Sequence, residues 1–326
     1  MILVLSQERY DPTTEKVCDW IEHLGAPWTR LNGEDLNGDA PFALTLGDRG
    51  EELRLHLGGE EVRRADVSAV WRRRWHQLQN LPSFEEADPR TQRRAHAHLV
   101  SELMATSNSV FSVLQEVPWL SAPRSVNKLR ALQLARAAGL DIPATLLTND
   151  REALRAFAAA HPRVVTKCAS DGEMFDAGGE TYALYTSLVS AGEIDRLPPR
   201  IFPSLVQEAV EKRWEVRVFY LDGECFPMAI FSQEDAQTQV DFRIYNHAAP
   251  NRTVPYRLPP PVEAGVHALM AALGLETGSV DLIRTPDGRH VFLEVNPVGQ
   301  FAMVAEPCNY PLYRRVAEYL IDRMEK

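Results

Sequence analysis

Apolar positions along the chain follow two rhythms. Ile2 to Leu5 is an unbroken aliphatic run, the pattern of a strand buried on both faces. "TTEKVCDWIEHLG" then spaces its apolar residues near 3.6 and closes on Gly25, which predicts a helix with a threonine cap. "PWTRLN" predicts the next strand, so the opening is a βαβ unit. "FALTLG" and "LRLHLGG" alternate apolar and polar and predict a strand pair, and "VSAVWRRRW" predicts a further strand ending in arginines and tryptophans. A long helical pattern runs from about Gln92 to Leu114. "VPWLSAP" interrupts it with two prolines and marks a domain boundary.

The second half reads differently. "VNKLRALQLARAAGLDIPATLLT" is a helix stopped by Gly139 and then a strand. "DREALRAFAAAHP" is a second helix, and "RVVTKCAS" a strand running into a loop, "SDGEMFDAGGETYALYT", that carries three glycines. "SLVQEAV" is a strand. "WEVRVFYLDGECFPMAIFS" predicts a hairpin turning at Asp222-Gly223, and "TGSVDLIRTPDGRHVFLEVNP" a second one turning at Asp287-Gly288. Helices at "VEAGVHALMAALGL" and "YPLYRRVAEYLIDRM" complete the pattern. The divisions that follow are 1–118, 119–205 and 206–326.

Composition narrows the class. Hydrophobic residues make up 45% of 326, an ordinary globular share that excludes a largely disordered chain. A formal net charge of -10 argues against general nucleic-acid binding. No apolar run reaches the length of a membrane span, and "MILVLSQERY" lacks the basic and apolar regions of a signal peptide, so a cytoplasmic protein without membrane partners is expected. The cysteines at 18, 168, 225 and 308 are scattered, with no Cys-x-x-Cys pair. They predict reduced thiols and neither a disulfide frame nor a zinc site.

Candidate chemistry gathers in the second half. In "HVFLEVNPVGQF" an apolar strand carries Glu294, and Asn296 two residues on points to the same face. The hairpin sets Asp281 opposite this strand. Three hard oxygen donors on adjacent strands suit Mg²⁺ bound with phosphates; equally, Asp281 and Glu294 could bond turn amides or neighbouring arginines. Lys167 ends an apolar strand just before the glycine-bearing loop, and Lys128 opens a helix, whose N-terminus favours anions. Either could instead be a solvated surface lysine. In "LVQEAVEKRWEVRVF" the strand breaks at Gln207-Glu208 and resumes with Ala209-Val210. Backbone there could read an adenine edge while Glu215 bonds ribose, or the segment could be an ordinary connection. His96 and His98, two apart on a helix, face different directions and read as surface residues.

Taken in order, Lys128, Lys167 with its glycine loop, "VQEAV", Glu215 and Arg217, Asp281 and "FLEVNP" resemble the ATP-grasp superfamily over about two thirds of the chain. The resemblance implies two α+β lobes gripping ATP, preceded by a small α/β pre-ATP-grasp domain. It implies Lys128 and Lys167 on ATP phosphates, Gln207, Glu208 and Val210 along the adenine hinge, Glu215 on ribose, and Asp281, Glu294 and Asn296 on Mg²⁺, with two ions expected. Many amino-acid ligases of this kind carry an arginine two residues before the first metal aspartate; here Ser279 stands there. The cation for the transition state must then come from elsewhere, with Arg217 and Arg243 as candidates.

A narrower resemblance rests on "VWRRRW", "QTQVDFRIYN" and "FLEVNPVGQF", with the opening "MILVLSQERYDPTTEKVCDWI". Together these are similar to the ATP-grasp peptide maturases that make graspetides, the side-chain cross-linked ribosomal peptides that include microviridins, and within them to the "grasp-with-spasm" group. This implies a ligase joining Asp or Glu side chains of a leader-bearing precursor peptide to Ser/Thr hydroxyls or Lys amines. Arg243 in "VDFRIYN" suits a carboxylate or acyl phosphate, with its planar fork, or a salt bridge to Asp241 or Glu234. Arg72, Arg73 and Arg74 would meet an acidic peptide, or form a solvated edge beside two core tryptophans. A ligase adding free amino acids to a protein tail or small acid, and a nucleotide-binding module without chemistry, remain as rivals. The sequence leaves room for a homodimer.

Overall fold

The computed structural model describes residues 1–325 apart from 39, 49, 76–80, 86, 124, 171–173, 178–179, 184–185 and 235–249, and describes only the backbone at 174–177, 180–183 and 234. The chain divides into two compact units, Met1–Arg124 with Pro311–Lys326, and Ser125–Tyr310.

The first unit is built on the βαβ start. β1 (Ile2–Ser6), α1 (Pro12–His23) and β2 (Trp28–Asn32) lead through the antiparallel strands β3 (Phe42–Gly47), β4 (Gly50–Leu57) and β5 (Glu60–Arg63) to β6 (Ala69–Arg72), α2 (Pro89–Val113) and β7 (Trp119–Leu120). β1 pairs in parallel with both β2 and β6, giving the sheet order β2-β1-β6-β7. Leu3, Leu5, Leu31 and Val70 from this sheet pack with Leu53 and Leu55 of β4 and Val110 and Phe111 of α2 in one core. Helix α1 begins one residue before the expected threonines. Pro12 takes the first helical position, where its missing N–H costs nothing, and Asp11 is the cap, accepting from Thr13 N at 3.1 Å. Helix α2 likewise starts earlier than Gln92, at Pro89 behind the cap Asp88.

The second unit runs through α3 (Lys128–Ala137), β8 (Thr145–Asp150), α4 (Arg151–Ala160), β9 (Val164–Lys167), β10 (Met174–Ala177), β11 (Glu180–Ala183), β12 (Ser187–Val189), α5 (Ala191–Arg196) and β13 (Arg200–Glu208). It continues with β14 (Trp214–Leu221), β15 (Glu224–Ile230), β16 (Thr253–Pro255), α6 (Pro260–Leu273), β17 (Thr277–Arg284), β18 (His290–Asn296) and α7 (Ala302–Cys308). One sheet has the order β12-β9-β13-β8 and the other β16-β15-β14-β17-β18. Val216, Val218 and Tyr220 of β14, Val280 and Leu282 of β17, and Phe292 and Val295 of β18 form one face of the larger sheet. They pack on Ala131 and Leu132 of α3 and Val266, Leu269 and Met270 of α6. The opposite face is left to carry polar side chains, as the period of two requires.

Both expected hairpins form. Asp222 and Gly223 take φ 44 and 86, the left-handed pair that a two-residue turn between twisted strands demands. The glycine-bearing segment holds more than a loop: β10 and β11 pair antiparallel within it. The last helix, α8 (Leu312–Met324), belongs to the first unit, where it packs on α1, β1 and β6. Among the described residues no helix is long and apolar enough to cross a membrane.

Candidate active site

The polar face of the larger sheet is organised in rows. Antiparallel pairing sets Arg217 of β14 opposite Asp281 of β17, and Asp281 opposite Glu294 of β18. Residues directly opposite share a face, so three charged side chains stand in line across three strands. Arg217 donates from Nη1 to both carboxylate oxygens of Asp281, at 3.1 and 3.0 Å. At the end of the row Lys128 Nζ lies 3.7 Å from Glu294 Oε2 and donates to the carbonyl of Cys168 at 3.2 Å. Lys128 is the first residue of α3 behind the cap Asn127, which accepts from Arg130 N.

The next row explains the apolar wall. Glu215 of β14 lies between Ile230 of β15 and Ile283 of β17. Its carboxylate pairs with Lys212 Nζ at 2.7 Å, both side chains being buried. These two rows line a cleft with roughly 1140 Å³ of empty space, counted out to the solvent at its mouth. Val165, Leu188 and Leu293 add apolar surface, and Lys167, Gln207, Glu208, Val210, Glu215, Arg217, Asp281 and Glu294 all line it. A half-apolar cleft with convergent charges is the usual form of a small-molecule site.

The hinge segment is held from both neighbouring strands as far as Ala209. Gln207 is buried, and its Nε2 donates to Thr145 Oγ1 at 2.9 Å. Glu208 N donates to Ala144 O, and Ala209 N to Arg163 O. Among the described residues, Val210 and Glu211 make no backbone–backbone hydrogen bond. Backbone donors and acceptors just past the strand end are thereby left open to the cleft, which Val210 and Glu211 line.

Three site expectations look different in three dimensions. Leu293 and Glu294 are both half-buried and both line the cleft, because the ladder shifts register between Asp281 and Leu282 and leaves Leu293 as the extra residue of a bulge. Strict alternation would turn Leu293 to the face opposite Glu294. Asn296 stands one row further on, opposite Ser279, and its Oδ1 accepts from Val298 N at 3.0 Å, closing the turn after the strand. Glu215 is engaged by Lys212, a residue that carried no signal in sequence, where it reads as one of many surface lysines. Arg243 lies outside the described residues.

The arginines of β6 also separate. Arg73 is buried and paired with Asp11 at 3.8 Å, while Arg74, partly exposed, donates to the same carboxylate at 3.1 Å. Arg72 is half-buried over the Phe111 ring. The segment is therefore not a uniformly solvated basic edge. Trp71 is buried and Trp75 packs edge-on to Phe111.

The donor set fits a divalent cation with phosphates. Asp281 and Glu294 are opposed hard-oxygen donors, and the Asn296 carbonyl has a second lone pair beyond the one used by Val298. Arg217 is buried, and among the described residues its Nε and Nη2 have no hydrogen-bond partner. Because Arg217 lines the cleft, an anion held there could satisfy these nitrogens.

Likeness to known proteins agrees with this geometry. Residues 1–127 match the family model described as the MvdD pre-ATP grasp domain. No curated protein matches the chain. The fold is similar to that of a RiPP-associated ATP-grasp ligase from Chryseobacterium gregarium, solved with ADP and a leader and core peptide; the TM-score is 0.85 at 24% identity, covering 99% of this chain and 96% of that one. The macrocyclase MdnC of Microcystis aeruginosa MRC, bound with precursor peptide MdnA, is similar at TM-score 0.80 and 26% identity over 98% of this chain and 99% of that one. The ATP-grasp ligase PsnB, solved with a minimal precursor, Mg and ADP, follows at TM-score 0.75 and 20% identity over 99% and 97%. Residues 1–127 thus match an MvdD-type pre-ATP-grasp domain, and the fold of the chain is similar to that of the ATP-grasp peptide ligases and macrocyclases.

Proposed function

We propose that the chain is an ATP- and Mg²⁺-dependent ligase that cross-links side chains of a ribosomal precursor peptide. The observation that carries this reading is the row Arg217–Asp281–Glu294 lining one cleft, with Lys128 Nζ 3.7 Å from Glu294 and two buried nitrogens of Arg217 without a hydrogen bond among the described residues. MdnC, at 26% identity, is a macrocyclase solved with its precursor peptide, which supports the same substrate class here.

In this reading residues 119–205 and 206–326 supply the lobes that hold ATP, and 1–118 the pre-ATP-grasp domain. Adenine lies against Ile230 and Ile283, with its edge on the hinge at Gln207, Glu208 and Val210. Glu215, steadied by Lys212, meets ribose, and Lys128 and Lys167 meet phosphate oxygens. Mg²⁺, as two ions on Asp281, Glu294 and Asn296, would supply charge neutralisation along the phosphates. A carboxylate of the peptide attacks the γ-phosphorus, the bond to the β-phosphate oxygen breaks, and ADP leaves an acyl phosphate. A hydroxyl or amine of the same peptide then attacks the acyl carbon, phosphate departs, and the proton of the attacking group is lost. Arg217 Nε and Nη2 receive the charge that develops on the transferring group. Arg243 clamps the acceptor carboxylate, and Arg74, the exposed member of its trio, meets acidic residues of the peptide. Holding both reacting groups on one peptide makes ring closure intramolecular. No nucleophile of the protein is needed. The cytoplasm, where ATP and the precursor meet, is the proposed location.

The test is to incubate the chain with ATP, Mg²⁺ and a leader-bearing peptide with a Thr/Ser- and Glu/Asp-rich core. Peptide-dependent ADP release with loss of one water per link is expected. ADP release with a free amino acid or small acid and none with the peptide would replace this reading with the small-substrate ligase.

A further inference from the structure

Away from the cleft, the opposite face of the larger sheet holds a second cluster of ligating groups. Cys225 is the second residue of β15 and stands opposite Tyr220 of β14, just beyond the Asp222-Gly223 turn. Tyr220 faces the core shared with α6, and Cys225 packs at the margin of that core. On α6, Glu263 and His267 are four residues apart and lie one above the other on a single face. The His267 ring meets Tyr220 edge-on, with centroids 5.7 Å apart. Sulfur, carboxylate oxygen and imidazole nitrogen all come within 4.8 Å of one another, and each residue is half-buried.

We propose that Cys225, Glu263 and His267 form a zinc-type metal site that ties α6 to the β14–β15 hairpin. Zinc takes thiolate at ~2.3 Å and nitrogen or oxygen at ~2.0–2.2 Å, which sets tetrahedral ligand atoms roughly 3.5 Å apart. Donors within 4.8 Å of one another therefore need to draw in by only about 1 Å. Glu263, with three side-chain torsions, can move that far without backbone change. The set mixes one soft and two harder donors, which favours zinc over magnesium or calcium. Three protein ligands leave a fourth position for water. Binding forms the Zn–S bond and releases the Cys225 thiol proton to solvent.

This site is independent of the ligase reading, since none of the three residues lines the cleft. It could not be found from cysteine spacing, because two of its ligands come from a helix some forty residues beyond the cysteine. Its consequence is mechanical: α6 covers the back of the sheet whose front carries Glu215 and Arg217.

The experiment uses the full chain, untagged and stripped of metal. Zinc is titrated against a chromophoric chelator, Co²⁺ is used to look for a thiolate-to-metal absorption, and the thermal midpoint is recorded with and without zinc. One zinc per chain is expected, with the cobalt band and a midpoint raised by at least ~3 °C. Cys225→Ser, His267→Asn and Glu263→Gln should each weaken binding at least ~10-fold and remove the rise, while Cys168→Ser should not. Far-ultraviolet circular dichroism checks folding; because Glu263 and His267 are half-buried, their variants keep the test open if Cys225→Ser misfolds. Failure to hold zinc, or equal binding by wild type and the His267 and Glu263 variants, overturns the site.

Discussion

Arg73 in the first unit and Arg217 in the second are buried to nearly the same extent, 2% and 5% exposed, and each faces an aspartate. What surrounds the pairs differs. Asp11 caps α1 through Thr13 N, accepts from Thr14 Oγ1 and Arg74 Nε, and lies against Arg73. Burial alone would raise its carboxyl, but Arg73, Arg74 and the two threonines outweigh burial and hold it below the ordinary carboxylate value. That carboxylate is saturated, and the cluster ties the end of β6 to the start of α1. Arg217 grips Asp281 through Nη1, and among the described residues its Nε and Nη2 have no hydrogen-bond partner. The same two residue types thus serve as a fastening in one place and line an open cleft in the other. Burial does not distinguish them, and neither does satisfaction of the guanidinium: among the described residues Arg73 Nε and Nη1 lack a hydrogen bond as Arg217 Nε and Nη2 do, but Arg217 lines the cleft and Arg73 does not.

The contrast can be broken experimentally. The largest effect is expected from Glu294→Gln, which removes charge but little volume. Peptide-dependent ADP release should fall ~10³-fold while the unfolding midpoint stays near wild type. Arg217→Lys keeps the charge and loses the fork, so turnover should fall about 10²-fold, again without a large change in stability. Asp11→Ala should do the reverse. It leaves Arg73 buried without its counter-charge and α1 without its cap, which costs about 3–5 kcal/mol in denaturant unfolding. Should Asp11→Ala fold as stably as wild type but lose activity, the fastening role is wrong.

Lys128→Met and Lys167→Met sharpen the second half of the comparison. Each should weaken ATP binding roughly 10-fold by calorimetry, by removing one cation from the phosphate region. The smallest effect concerns pH. Because the folded carboxyl of Asp11 is depressed, its contribution is present above the unfolded value near ~3.9 and is lost as pH falls toward the lower folded value. Urea midpoints at pH 6 and pH 3 should therefore converge somewhat in Asp11→Asn relative to wild type. An identical acid loss in both would remove Asp11 from the account of acid stability.

Much of this was readable in the chain because local rules and tertiary packing agree. The Asp222-Gly223 turn, the βαβ start and the period of two in β14 and β18 are local signals. Asp281 could be set beside Glu294 because one hairpin joins them. The Arg217–Asp281 pairing spans two hairpins, and its register depends on β14 meeting β17, which no local pattern states. The bulge at Leu293 breaks alternation without a glycine to announce it. Lys212 became a site residue only because the connection to β14 brings it onto Glu215. Asp11 was overlooked as a cap because Thr13 and Thr14 offered a plausible one, and the preference for proline at the first helical position decided between them. The hairpin of β10 and β11 hides in a segment whose glycines read as loop. The metal cluster of Cys225, Glu263 and His267 arises from helix-on-sheet packing, which spacing rules do not reach.

The central claim is that nucleotide phosphates meet Arg217 where its two nitrogens lack partners, beside metal on Asp281 and Glu294. A crystal structure of the chain with Mg²⁺ and a non-hydrolysable ATP analogue tests it most directly. The expected result is a phosphate oxygen within about 3 Å of Arg217 Nε or Nη2, with Mg²⁺ bound to Asp281 and Glu294. Phosphates bound elsewhere in the chain, with Arg217 still engaged only by Asp281, would contradict it.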